Sequence, residues 1–171
     1  MLTVADWNDF PDDLLRHEII AGKHYTQRGA TVRHQRVLMN LEFRLHPYAE
    51  TRGELSLHVV GTVLSETDAV IPDIVYVRRD RREFLDKQYI DVPPDLIAEV
   101  ILDETREVDR TVKRDLYERT GVGEYWIIDP DDSSVAVYRR AGESLRRVET
   151  SDPITTPLLP GFEITFAELF A

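Results

Sequence analysis

Two apolar runs, one on either side of a helix, constrain this chain most. Leu96-Ile97-Ala98-Glu99-Val100-Ile101-Leu102 is apolar on both faces except at Glu99, and Tyr125-Trp126-Ile127-Ile128 is a second such run. Strands apolar on both faces belong in a sheet that is covered on both sides. Between them, residues 107–120 read as a helix, closed by Gly121 as a natural C-cap. Parallel neighbours need a crossover of roughly a dozen residues or more, and it is usually helical and right-handed. The spacing therefore predicts a strand–helix–strand unit with a parallel pair at the centre of an α/β fold.

The remaining segments extend that sheet. Thr3 to Leu15 reads as a short helix capped by Thr3 and Asp6 and interrupted at Pro11. Residues 17–27 read as a strand pair turning at Ala21-Gly22. Leu38, Leu41 and Leu45 recur at helical spacing, which predicts a helix over 31–48 with Pro47 near its end. Residues 55–60, 62–64 and 69–77 read as strands, and Pro72 marks a bulge, a strand start or an edge in the last of these. Residues 135–138 and 145–148 form a hairpin turning near Ala141-Gly142, and a strand with a short helix closes the chain. At about 100–200 residues per domain, 1–171 is expected to be one domain.

Composition removes whole classes of function. The chain has no cysteine, so disulfides, zinc–thiolate sites and thiol nucleophiles are excluded, and a reducing cytoplasm is the expected compartment. No apolar run approaches the ~20 residues of a membrane span, and the N-terminus lacks the features of a signal peptide. A net charge of −11 argues against a surface coated with positive charge, though not against a local basic patch. Gly-x-Ser-x-Gly, phosphate-loop, Gly-x-Gly-x-x-Gly and His-Glu-x-x-His motifs are all missing. His17, His24, His34, His46 and His58 are not paired at metal-ligand spacing.

Five residues stand out. Glu99 places a carboxylate inside an apolar strand, where an unpaired charge costs several kcal/mol or is avoided by protonation. It either faces solvent through the pleat or serves as a metal ligand or catalytic acid. Asp73 follows Pro72 at the start of an apolar strand. Alone it is ordinary turn chemistry, but with Glu99 it could hold a hard divalent cation, which prefers oxygen ligands. Lys113 is one of only three lysines, with Lys23 and Lys87. It lies on the flank of its helix, either reaching back over the sheet or forming a surface pair with Asp109 worth about 0.3–0.5 kcal/mol. Glu18 sits on the first strand pair. His34 lies on the helix face shared with Leu38, Leu41 and Leu45, where a satisfied core-edge residue is the plainer reading.

Taken together, these segments resemble a known family. Pro72-Asp73, Pro94 to Ile101, Asp109-Arg110, Lys113, Tyr117 and Gly121 to Pro130 are similar to the family described as Putative restriction endonuclease. That family, once catalogued as a domain of unknown function, belongs to the PD-(D/E)XK nuclease-like superfamily. The resemblance runs from about Asp6 to Phe170, and the Glu-Val-Ile strand and the Glu-Tyr-Trp-Ile-Ile-Asp-Pro run are its most specific parts. It implies a mixed β-sheet with an αβββαβ restriction-endonuclease-like core plus extra N- and C-terminal strands. Asp73 matches the Pro-Asp acid, and Glu99 matches the second acid. Ile101 stands where the superfamily usually has lysine, and Lys113 matches the lysine moved to the next helix. Glu18 and His34 match an early Glu and an early-helix His. Two departures are Leu102-Asp103-Glu104-Thr105 in place of Ser-Pro-Ser-Thr, and Ala21-Gly22 in place of Asp-Gly.

What the resemblance implies is an endonuclease that hydrolyses phosphodiester bonds in nucleic acid, DNA before RNA. Asp73, Glu99 and the backbone carbonyl of Val100 would hold Mg²⁺ or Mn²⁺. Arg78, Arg79, Arg81 and Arg82, with Arg110 and Arg114, are the expected phosphate contacts; a solvated loop is the alternative for the 78–82 run. Two-fold dimerisation is expected by analogy. Competing readings are a nuclease fold kept as a binding or interaction module without catalysis, and a hydrolase of small phosphate esters.

Overall fold

The structure is a computed structural model that describes residues 1–57, 60–84 and 87–171, without the side chains of 56, 57 and 82–84. In chain order the elements are α1 (Val4–Trp7), β1 (Arg16–Ile20), β2 (Lys23–Gln27), α2 (Val32–Ala49), β3 (Gly53–Leu57), β4 (Thr62–Ser65), β5 (Asp68–Val70) and β6 (Ile74–Arg78). A 3₁₀ turn (Arg79–Phe84) leads on to β7 (Leu96–Val100). A π-helical segment (Val108–Lys113) then continues directly into α3 (Arg114–Arg119). The chain ends with β8 (Glu124–Asp129), β9 (Ser134–Ala141), β10 (Ser144–Val148), β11 (Ile154–Thr155), β12 (Glu163–Ile164) and α4 (Phe166–Leu169).

Six strands form the main sheet in the order β10-β9-β8-β7-β6-β3. Among the described residues of this sheet only β7 and β8 run parallel, joined by the helical crossover that the two apolar runs require. The series α2, β3, β6, β7, crossover helix, β8 is the αβββαβ core. A second sheet, β2-β1-β5-β4, comes from the N-terminal part, and β11 pairs with β12 near the C-terminus.

The pleat of the central strands explains their composition. Ile74, Tyr76, Leu96, Ala98, Val100 and Trp126 pack on one side with Val37, Leu38, Leu41 and Leu45 of α2. Their alternates Val75, Val77, Ile97, Ile101, Tyr125 and Ile127 pack on the other side with Leu116 and Tyr117 of α3 and with Ile20 and Val70 of the second sheet. Both faces are covered, so neither could tolerate a polar residue without a partner. Glu99 is the position where this requirement is met by other means.

Two expected elements differ, and a third is described only in part. The first helix ends at Trp7 instead of running towards Leu15; the Thr3–Asp6 cap is present, with the Thr3 N–H donating to Asp6 Oδ2 at 2.7 Å. The stretch expected as one strand from 69 to 77 is two, in different sheets, broken at 71–73. Pro72 supplies no backbone donor and ends the ladder there. The expected strand over 55–60 is described only as far as Leu57; residues 58 and 59, His58 among them, lie outside the described residues. The Ala21-Gly22 turn is a tight hairpin with φ +51° and +70°, the pair of positive values that a two-residue type I′ connection needs.

Candidate active site

The break between β5 and β6 creates the site. Once Ile71 and Asp73 leave the ladder, their N–H groups need acceptors. The Ile71 N–H donates to Glu18 Oε1 at 2.8 Å, and the Asp73 N–H donates to Glu99 Oε2 at 3.2 Å. β6 pairs antiparallel with β7 so that Ile74 faces Ala98, which sets Asp73 across from Glu99. The Val100 N–H returns a bond to Asp73 Oδ2 at 2.9 Å. The two acids are thus interlocked through each other's backbone.

Lys113 reaches this point from the crossover helix. Its Nζ lies 3.0 Å from Glu99 Oε1, 3.1 Å from Glu18 Oε2 and 3.5 Å from Asp109 Oδ1. The residue is 1% exposed, so the surface-pair alternative does not hold. The π-helical segment accounts for this: inserting a residue into a turn re-aims the side chains that follow, and such bulges concentrate at functional sites. Tyr117, one turn further on, donates its hydroxyl to Glu99 Oε1 at 3.0 Å.

Asp73 has its own partners. Arg16 Nη1 donates to Oδ1 at 2.8 Å, and His34 Nε2 bonds Oδ2 at 3.1 Å. His34 is fully buried, and its Nδ1 has no partner among the described residues. Glu18, Asp73, Glu99, Asp109, Lys113 and His34 therefore form one buried cluster. In it four carboxylates face the charges of Lys113 and Arg16.

The electrostatics follow from that imbalance. Burial pushes Glu99 up to about 8; Lys113 opposes this, while Asp73, Asp109 and Glu18 add to it. Burial likewise raises Asp109, against the pull of Lys113. Burial works against the charge of Asp73, but the His34 hydrogen bond and the nearby charges, that of Arg16 included, hold it well below the usual carboxylate range. Burial lowers Lys113, yet Glu18, Glu99 and Asp109 outweigh it and keep the amine charged. Burial and the neighbouring acids push the Tyr117 hydroxyl well up, so it stays a donor. Perturbed groups of this kind gather where chemistry is done.

The expected metal ligands can be tested against this donor set. Carboxylate oxygens in excess of cationic partners suit a hard divalent ion, and the unpaired Nδ1 of His34 leaves one buried polar atom unsatisfied. Among the described residues no group of three or more His, Asp or Glu side chains is already arranged around an ion position. Lys113 and Arg16 take oxygens that an ion would need, so an ion at Asp73 shares that carboxylate with Arg16.

The expected phosphate-binding arginines are placed differently. Arg78 lies at the far end of β6 from Asp73, about 17 Å along the strand. Arg78 Nε and Arg81 Nη1 pair with Asp95 Oδ1 at 2.9 and 3.3 Å. Arg79 Nη2 donates to the Glu50 carbonyl. Arg110 pairs with Asp129 at 2.9 Å and Arg114 with Asp115 at 2.7 Å. The side chain of Arg82 lies outside the described residues. Local carboxylates thus partly neutralise the basic run.

Arg16, Asp109 and Tyr117 are members of the cluster that the sequence reading did not assign to the site. Arg16 was detectable, since it is two residues from Glu18 on a strand and shares its face. One histidine pair also forms without the usual spacing: His17 Nδ1 and His24 Nε2 are 2.9 Å apart across the hairpin, and His17 Nε2 lies 2.8 Å from Asp13.

A mixed sheet with an αβββαβ core, carrying acids and a lysine at the β6–β7 junction, defines a protein of the restriction-endonuclease-like class. Residues 4–167 match the Uma2 family, described as Putative restriction endonuclease, and the chain belongs to that family. It is also similar to a crystal structure of a putative nuclease belonging to DUF820 from Anabaena variabilis. The two share a TM-score of 0.84 over 99% of this chain and 98% of that one, at 17% identity. At that identity the likeness speaks for the fold. No curated protein matches the chain. Among the described residues no helix is long and apolar enough to cross a membrane.

Proposed function

We propose that the chain is a divalent-metal-dependent endonuclease of the PD-(D/E)XK type acting on DNA in the cytoplasm. The observation that carries this is the placement of the Lys113 amine within 3.1 Å of both Glu18 and Glu99, in a buried cluster that interlocks with Asp73. A structural core has little reason to gather four carboxylates and a lysine, because each buried charge carries a desolvation penalty.

Asp73, Glu99 and the Val100 carbonyl are the groups that would hold Mg²⁺ or Mn²⁺, which supplies Lewis-acid polarisation of the scissile phosphate when bound. The chain's own residues do the rest. Lys113 orients the attacking water and stabilises negative charge developing on the phosphate. Glu18 and Tyr117 fix the lysine and Glu99 in position. His34 holds Asp73 ionised and correctly turned. Cutting both strands of a duplex needs two such centres, which favours a two-fold dimer.

The test is to incubate purified protein with Mg²⁺ or Mn²⁺ and with plasmid, linear duplex, single-stranded DNA and RNA. Cleavage that disappears in Lys113→Ala, with the circular dichroism spectrum retained, is the expected result. No cut in any substrate overturns the reading. One observation favours a second reading, a nuclease-fold binding module: Arg16 and Lys113 already occupy the acidic oxygens. In that case calorimetry detects no Asp73-dependent ion site.

A further inference from the structure

Next to the acid cluster is a cavity of about 400 Å³, between the N-terminus of α2 and the segments that follow β7 and β8. His34 joins the two: it lines the cavity, while its Nε2 bonds Asp73 Oδ2 at 3.1 Å. Whatever occupies the cavity therefore lies one side chain away from the proposed cleavage point.

The lining is amphipathic in a specific way. Ile101, Leu102 and Pro130 give it an apolar side. Asp103 and Asp131 bring carboxylate acceptors, with one oxygen of each already held by Arg106 at 2.9 and 3.1 Å. Arg28 and Arg33 also line it, and Arg33 stands 3.6 Å from the other oxygen of Asp131. A phosphate pressed against these carboxylates would be repelled. A flat apolar group bearing N–H donors on its edge is complementary to them, with its phosphate left near the arginines. Enzymes that take a base out of the stack read it in this way, by apolar contact on the ring faces and hydrogen bonds on the edge. Carboxylates accept from the exocyclic amino group of cytosine, and the same chemistry serves adenine and guanine.

We propose that this cavity receives one unstacked nucleobase next to the scissile phosphate, with preference for bases carrying an exocyclic amino group. The inference rests on the endonuclease reading above and adds a residue-level specificity site to it. Glu104 also lines the cavity, its Oε1 accepting from the Arg28 N–H at 3.0 Å, and with Asp103 it then sets the preference of this chain.

The test uses Gly29, which lines the cavity and where an added Cβ meets nothing within 4 Å. Gly29→Trp sets a bulky ring at the rim of the cavity to obstruct it, and Asp131→Asn alters its edge chemistry as a second variant. Binding of dCMP, dAMP, dGMP, dTMP and 2-deoxyribose 5-phosphate is measured by calorimetry. The three amino-bearing nucleotides are expected to bind at least tenfold tighter than the base-free sugar phosphate, with dTMP the weakest nucleotide. Gly29→Trp abolishes the difference, and Asp131→Asn narrows the gap between dCMP and dTMP. Equal binding of the sugar phosphate, no binding of any probe, or unchanged selectivity in both variants overturns the proposal. A cleavage assay on strands with one abasic residue at successive positions separates the two readings. Cleavage indifferent to every abasic position sinks the base pocket and leaves the nuclease standing. Nucleotide selectivity without any cleavage does the reverse.

Discussion

Replacing Lys113 by methionine removes one charge and keeps the length of the side chain. Lys113 has three carboxylate contacts, at 3.0, 3.1 and 3.5 Å, in a place that is 1% exposed. Without it, Glu18, Glu99 and Asp109 face one another with no cation between them. Removing one partner of a buried ion pair costs about 3–5 kcal/mol, because the remaining charge stays buried and uncompensated. For a chain of this size each kcal/mol lowers the melting temperature by about 2–4 °C, so the expected drop is roughly 6–20 °C. The loss depends on pH, since the acids escape it by binding protons. Burial has already raised Glu99 to about 8 and Asp109 above its ordinary value, so they protonate readily. Urea unfolding of wild type and Lys113→Met at pH 9, above the raised value of Glu99, and at pH 5 measures both effects. The expectation is a large deficit at pH 9 that shrinks at pH 5. A deficit below about 1 kcal/mol at both values, the range of an exposed pair, would refute the counter-ion role on which the site rests.

Four further outcomes follow from the same geometry. Glu99 has a raised folded-state pKa, so its contribution to stability is full below its ordinary value of 4.5 and is lost as pH rises through about 8. Glu99→Gln should flatten the alkaline side of the stability profile measured by denaturant titration. Asp73 is lowered, so its contribution is present above 3.8 and lost as pH falls through its depressed value; Asp73→Asn should flatten the acid side. Arg16→Gln frees Asp73 Oδ1 and should tighten Mn²⁺ binding in calorimetry at least threefold, whereas weaker binding would mean that Arg16 supports the ion site instead of competing for it. Because Arg78 and Arg81 are engaged by Asp95 at the far end of β6 from Asp73, the double alanine variant should leave the salt dependence of DNA binding nearly unchanged. A slope reduced by about 1.8 would instead show that both arginines contact phosphate.

The sequence is most legible where burial leaves few options. The 96–102 and 125–128 runs specify the parallel pair because no one-sided sheet accepts them, and Leu38, Leu41 and Leu45 specify α2. Glu99 was conspicuous for the same reason, as the polar residue in a strand that must be covered on both faces. Legibility falls where tertiary contacts decide. The helix around Asp109 and Lys113 follows α-helical spacing in sequence but contains a π-helical segment, so a pair that looks like a surface ion pair is buried. Pro72 signals a break, yet nothing local shows that it sends β5 and β6 to different sheets. The run of arginines at 78–82 reads as a phosphate-binding patch until Asp95, thirteen or more positions away from its members, is found to lie against it.

Manganese binding followed by electron paramagnetic resonance tests the central claim most directly. Mn²⁺ should bind the wild-type protein at one saturable site, with the free-ion signal reappearing in Asp73→Ala and in Glu99→Ala while both variants remain folded. Equal Mn²⁺ uptake by wild type and both variants would show that these acids do not hold the ion, and the metal-dependent nuclease account would fail.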